Sequence, residues 1–203
     1  MQDSFKSIKE RSEGFFKDRG SKFFAFAYPV ETEEEIKEIL DLLRKEHHSA
    51  RHHCYAWRLG KEIISYRTND DGEPSSTAGK PILGQLQSYN LTNVLIVVVR
   101  YFGGTLLGTS GLINAYRSAA SNAIQNAQVV INNIEAIFRL TFTYNEMNEV
   151  MRILKQEGLN IISTMFEDIC KLEFSVRKSD ADKVEQLFNR FHGVTIEKIS
   201  EMN

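Results

Sequence analysis

Val94 to Gly111 reads VLIVVVRYFGGTLLGTSG, an apolar run that ends in Arg100 and opens into Gly103, Gly104, Gly108 and Gly111. Glycines let a backbone approach a ligand closely. Thr109 or Ser110 is placed to cap a following helix, whose free amides and positive dipole end favour an anion. The expected chemistry is phosphate capture, with Arg100 as a fixed charge. Gly103 to Ser110 has the G-x-x-x-x-G-T-S spacing of a nucleotide phosphate loop, but Thr109 stands where that loop needs its lysine, which argues against an NTPase. The same glycines suit a purely structural turn equally well.

Two other stretches carry reactive types. Asn69 to Lys80 places Asp70, Asp71 and Glu73 ahead of Ser75, Ser76 and Thr77. These are hard oxygen ligands without the spacing of a calcium loop, and the simpler reading is turn formation and capping of the next helix. His47 and His48 fall at a helix end, while His52, His53 and Cys54 enter a strand. Strand neighbours point to opposite faces, so His52 and His53 do not grip one metal; no metal or other cofactor is expected. Arg51, His52 and His53 read as a small cationic cluster. Phe15, Phe16, Phe23, Phe24, Phe26 and Tyr28 gather in one hairpin beside Lys17, Arg19 and Lys22. Core filling is the first reading and stacking on bases the second.

The elements that must position these groups are legible in outline. Glu13 to Arg19 and Lys22 to Val30 form a hairpin. A helix starts at Thr32, where Thr32 and Glu35 fit a capping box and Ile36, Ile39, Leu40 and Leu43 make the apolar stripe. His52 to Leu59 pairs with Glu62 to Thr68, a short helix follows near Pro81 to Tyr89, and Val94 to Tyr101 reads as a strand covered on both faces. Ser110 to Ala127 is a second long helix. From Phe138 onward the order is βαββαβ: a strand to Tyr144, a helix from Glu146 to Glu157, strands at Leu159 to Phe166 and Lys171 to Arg177, a helix capped by Ser179, and a strand from Val194 to Ile199. The boundary falls at Asn132 to Glu135, giving units 1–132 and 136–203.

The 203 residues hold 25 Lys+Arg and 27 Asp+Glu, a formal net charge of −2. Residues 1 to 132 carry about +1 and the remainder about −3, so a strongly basic nonspecific nucleic-acid binder is excluded and any such site is local. No window approaches the roughly 20 apolar residues of a membrane span, and the opening residues lack a signal-peptide core. Cys54 and Cys170 are expected as free thiols, with the cytoplasm as the compartment.

Four ordered motifs resemble one family. SKFFA at Ser21 to Ala25, ARHHCYAWRLG at Ala50 to Gly60, DDGEPSSTAGKPIL at Asp70 to Leu83 and VVVRYFGGTLLGTSGL at Val97 to Leu112 are similar to the bacterial branch of the YigZ/IMPACT family. The resemblance implies an α+β chain: a ribosomal protein S5 domain 2-like N-terminal domain followed by a C-terminal ferredoxin-like βαββαβ domain. It also implies a role with nucleic acid or the ribosome and no established reaction. The eukaryotic relatives regulate translation by binding a co-activator of a stress kinase, through a region with no counterpart here. The chain departs from the family pattern at Ser76 and Ser110, where glycine is usual, and at Arg51, where histidine is common. The expected function is therefore a noncatalytic module that binds RNA or a ribosome-associated component. Phosphate is expected at Arg100, at the amides of Gly103 and Gly104 and at the helix start of Thr109 and Ser110, aided by Arg51, His53 or Lys80, with Arg117 as a further candidate. The alternatives are an enzyme acting on a small phosphorylated metabolite or nucleotide, and a protein–protein scaffold.

Overall fold

A computed structural model describes residues 3–201. The chain is α+β and divides into two compact units, one of Phe5–Asn132 and one formed from Asn133 onward that also takes in Asp3 and Ser4. The first contains β1 (Ser4–Ile8), β2 (Ser12–Asp18), β3 (Ser21–Pro29), α1 (Glu33–Glu46), β4 (His52–Leu59), β5 (Ser65–Asn69), α2 (Gly79–Ser88), β6 (Val94–Tyr101), α3 (Gly108–Gln125) and β7 (Val129–Asn133). Five of these strands form one sheet in the order β2-β3-β6-β4-β5, and each neighbouring pair is antiparallel. β1 and β7 pair separately. Neither was expected as a strand, because each is five residues long and finds its partner more than a hundred residues away.

β6 lies at the centre of the sheet, and every residue except Tyr101 is buried. Its alternation sorts two cores. Val94, Ile96 and Val98 join Ala25, Ala27, Cys54 and Ala56 against Ile82, Leu86, Tyr116 and Ala119 of α2 and α3. Leu95, Val97 and Val99 join Phe26, Tyr55 and Trp57 against Ile36, Leu40 and Leu43 of α1. The first face carries small residues, which lets α3 come close: a Cβ added at Gly14 would lie 2.3 Å from the Ala123 amide nitrogen. α1 begins as expected, with Thr32 Oγ1 accepting from the Glu35 amide at 3.2 Å. Glu35 reaches back to the amide of Glu31 rather than to that of Thr32. Arg19 and Gly20, both at positive φ, make the two-residue turn between β2 and β3, as a type I′ hairpin requires.

The second unit contains β8 (Glu135–Thr143), α4 (Met147–Gln156), β9 (Asn160–Met165), β10 (Ile169–Arg177), α5 (Ala181–Phe188) and β11 (Val194–Glu201). The antiparallel sheet runs β11-β8-β10-β9, and alternate residues of β8 are buried over a core of Phe138, Phe174 and Phe188. Ser179 was expected to cap the last helix. It lies instead inside a 3-10 turn, Lys178–Asp180, that precedes α5, and no side chain caps either element. Cys54 and Cys170 are both free and buried. Among the described residues no helix is long and apolar enough to cross a membrane.

Gly14→Ala forces β2 away from α3. The expected loss is about 2 to 3 kcal/mol of stability, in the upper range for overpacking, measured by urea unfolding. A loss below 0.5 kcal/mol would show that the close approach is not required.

Candidate functional site

The site is set by strand register. His52 lies opposite Arg100 and His53 opposite Val99, so His52 and Arg100 share the α2 and α3 face, while His53 joins Tyr55 on the α1 face. The loop between β5 and α2 folds over the first of these faces. Asp70 organises it: one carboxylate oxygen accepts from the amides of Ala78 and Gly79 at 3.0 and 2.8 Å, and the other from Ser76 at 2.8 Å. α2 is thereby capped from eight residues away, since Ala78 at its own cap position supplies no side-chain bond. The turn and capping role expected of this loop is the one Asp70 performs. Asp71 accepts from the His53 amide at 2.6 Å, and its carbonyl lies 2.8 Å from His52 Nδ1.

Glu73 does something else. Its carboxylate turns inward, where Oε1 accepts from Arg100 Nη1 at 2.6 Å and from the Tyr116 hydroxyl at 2.7 Å, 4.0 Å from His52 Nε2. The Glu73 and Arg100 side chains are 3% and 7% exposed. The Arg100 guanidinium also lies 5.5 Å from the Phe23 ring and 5.6 Å from the Phe102 ring, and its Nε has no hydrogen-bond partner. The Cys54 sulfur lies 3.0 Å from the Asp70 carbonyl oxygen and 3.3 Å from Tyr116 Oη, with one thiol proton shared between these two acceptors. Burial pushes both the thiol and the Tyr116 phenol well above their ordinary values, so Cys54 is not a thiolate nucleophile.

A cleft of about 370 Å³ opens beside this network, lined by Arg51, His52, Glu73 and Arg100, by Pro74 and Phe102, and by Leu106 to Thr109 and Leu112. α3 starts at Gly108, with Leu107 at the cap position and no side-chain cap. Thr109 and Ser110 therefore lie in the first helical turn rather than capping it. Gly104 and Gly108, at φ 87° and 72°, supply the left-handed turn that brings the chain to this earlier start. The first amides of an α-helix have no intrahelical acceptor, and with the dipole they make a place for an anion.

The structure brings together only part of the expected set. Arg51, Arg100 and Thr109 line the cleft, but Arg100 carries its own buried counter-ion. Gly103 is occupied: its amide donates to Ser21 Oγ at 3.1 Å, and an added Cβ would fall 1.9 Å from the carbonyl carbon of Gly20. Gly104 and Ser110 are exposed near the helix start, as is Lys80 in the first turn of α2. Arg117 is exposed nine residues along α3, roughly 13 Å from its beginning. His53 is excluded by strand alternation. His52, Glu73 and Tyr116 enter instead. His52 already had the right parity to face Cys54, whereas nothing local marked Glu73 for burial. No cluster of three His, Cys, Asp or Glu residues able to hold a metal occurs among the described residues.

Residues 19–124 match the family described as the Impact N-terminal domain. The chain is 35% identical over 182 residues to the IMPACT family member YvyE of Bacillus subtilis, covering 90% of this chain and 84% of that one. It is 36% identical over 149 residues to an IMPACT family member of Haemophilus influenzae, covering 72% of each. The chain belongs to the IMPACT family. A solved crystal structure of a hypothetical protein, 27% identical, superposes on this IMPACT protein with a TM-score of 0.72 over 98% of this chain and 99% of its own. Of the departures from the IMPACT pattern, Ser76 holds a left-handed backbone at φ 65°, a conformation glycine adopts without strain. Ser110 needs no such freedom, because it sits in regular helix.

Removing one partner of a buried ion pair leaves the other charge uncompensated. Arg100→Met is expected to cost about 3 to 5 kcal/mol in urea unfolding, and Glu73→Gln combined with Arg100→Met less than the sum of the single losses. Additive losses would show that the two side chains are not coupled.

His53 is held below the ordinary imidazole value, first by burial and then by Arg44 and His47, with Asp71 opposing. The unfolded imidazole takes up a proton near 6.5 and the folded one only at lower pH. The unfolded state thus binds more protons in that window, and stability falls as pH falls through it. His53→Gln should flatten the stability profile below pH 6.5, as read by thermal unfolding between pH 8 and 5; an unchanged slope would assign the pH dependence to other groups.

Proposed function

We propose that this IMPACT-family protein is a noncatalytic cytoplasmic module that binds RNA or a ribosome-associated component and regulates translation, with the cleft beside Arg100 taking a phosphate group. The observation that carries this reading is the meeting of two features in one cleft: the uncapped start of an 18-residue helix, and a buried arginine with an unpartnered Nε. Arg51, exposed at the same cleft, adds a charge that no ion pair among the described residues neutralises. Glu73 offsets Arg100, so the affinity is modest and depends on geometry as well as charge. The translation setting comes from the family resemblance of the four motifs. In the same reading the first unit is a ribosomal protein S5 domain 2-like domain and the second a ferredoxin-like domain, supported by its βαββαβ order and its 4-1-3-2 antiparallel sheet.

A second reading has its own support. Glu73 and His52, 4.0 Å apart at the cleft, have the chemistry of an acid–base pair, which fits an enzyme acting on a small phosphorylated metabolite. Thermal-shift measurements separate the two readings, since a ligand that binds only the folded state raises the melting temperature. Stabilisation by RNA and not by inorganic phosphate or mononucleotides supports the module; stabilisation by mononucleotides alone supports the enzyme. Arg51→Ala is the direct test. It should weaken binding of a labelled single-stranded RNA several-fold and reduce the slope of log K against log salt by about 0.7. A folded variant with unchanged affinity and slope would overturn the assignment of this cleft.

A further inference from the structure

We propose that the end of the β2–β3 hairpin on the α1 face is a stacking platform for unpaired bases of single-stranded RNA. It lies on the sheet face opposite Arg100, and Phe102 at the end of β6 borders both this surface and the Arg51 and Arg100 cleft.

Strand alternation divides the aromatic residues of the hairpin. Phe23 enters the α2 and α3 core with Phe16 packed against it, and Phe26 enters the α1 core. Phe15 and Phe24 pair directly across β2 and β3, with ring centroids 5.0 Å apart, and Phe15 remains 46% exposed. Tyr101 meets Phe24 edge-on at 5.8 Å and is fixed by a 2.8 Å hydrogen bond between its hydroxyl and His47 Nδ1. Phe102, 47% exposed, completes the border. A cleft of about 400 Å³ is lined by Gly20, Lys22, Phe24, His47, Tyr101 and Phe102.

Two lysines flank these rings on the hairpin itself. Lys17 stands directly opposite Lys22, and Lys22 opposite Tyr101; by parity both lysines share the face of Phe15 and Phe24. Arg19 occupies the turn. Like charges directly opposite each other destabilise a strand pair, and neither lysine has an ion pair among the described residues. The nearest acid on that face of β2, Glu13, is paired with Arg11 at 2.8 Å, and Asp18 lies on the other face by alternation. Held rings beside unpaired lysines match a polyanion whose bases present open π faces. Stacking on aromatic side chains joined to a cationic track is how single strands are bound without base-edge readout. A duplex keeps its bases stacked internally and offers no such faces.

The test uses the full chain and fluorescein-labelled rU12, read by anisotropy. Phe15→Ala should weaken binding about 5- to 100-fold, and Phe15→Leu, which keeps apolar area without a ring, should not restore it. Lys17→Gln with Lys22→Gln should lower the salt slope by about 1.4. In F15W, tryptophan emission should be quenched by rU12, an outcome that does not depend on the alanine variant folding. Folded Phe15 and lysine variants that bind rU12 like the wild type would overturn the platform. If only Arg51→Ala loses binding, the platform fails while the anion cleft stands. Binding of duplex RNA, or of poly-glutamate, as tightly as rU12 would also overturn it.

Discussion

The buried ion pair between Glu73 and Arg100 is the constraint around which the first unit is arranged. Two charges removed from water are tolerated when each finds a partner and further hydrogen bonds offset part of the lost solvation. Here a loop carboxylate meets a central-strand guanidinium, and the Tyr116 hydroxyl from α3 supplies the further bond. Three elements distant in sequence are thereby tied at one point. The loop cannot lift without exposing Arg100 to an apolar core with no counter-ion, so its backbone is held where Cys54 and His52 bond the carbonyls of Asp70 and Asp71. That placement also lets Asp70 cap α2 from a distance. The pair positions the cleft more than it supplies charge to it.

This changes what a fixed arginine beside a glycine loop means. An exposed arginine in that position would act as a point charge for phosphate. A buried one, flanked by Phe23 and Phe102 and paired with Glu73, is not a free point charge, and the exposed cation at the cleft is Arg51. The glycines divide in the same way. Gly103 is required for contact with Gly20, which locks the end of β6 to the hairpin turn, whereas Gly104 and Gly108 shape the entry into α3. Part of the motif is therefore a packed structural turn, and part borders open space.

Much of this was legible because it is local. The six consecutive apolar residues from Val94 to Val99 announce a strand covered on both faces, the Thr32 and Glu35 pair announces a helix start, and Arg19-Gly20 between alternating aromatics announces a tight hairpin. What could not be read depends on partners remote in sequence. Parity put His52 and His53 on opposite faces, but only the register with β6 decides which of them meets Arg100. Glu73 resembles its loop neighbours in composition and differs from them because Arg100, 27 residues away, draws it inward. β1 and β7 carry too few residues to signal a strand without each other. The start of α3 moved to Gly108 because a glycine in left-handed backbone can end a turn where Thr109 cannot.

The hairpin shows why a chain of near-zero net charge still presents a local cationic surface. Once Phe23 fills the α3 core, alternation obliges Phe24 to face the other side of β3, and what covers it there is decided by the length of α1. That helix ends at Glu46, with His47 as its C-cap, and His47 is the last residue of the segment to touch Phe24 and Tyr101. Beyond it the strands continue without a helix above them, so Phe15, Lys17 and Lys22 project from a rigid sheet into solvent. Stability alone would favour opposite charges at the Lys17 and Lys22 pair. A like-charged pair beside uncovered rings, on a scaffold pinned from beneath by the Gly14 contact with α3, is better accounted for by an anionic ligand that bridges the two lysines than by any demand of the fold.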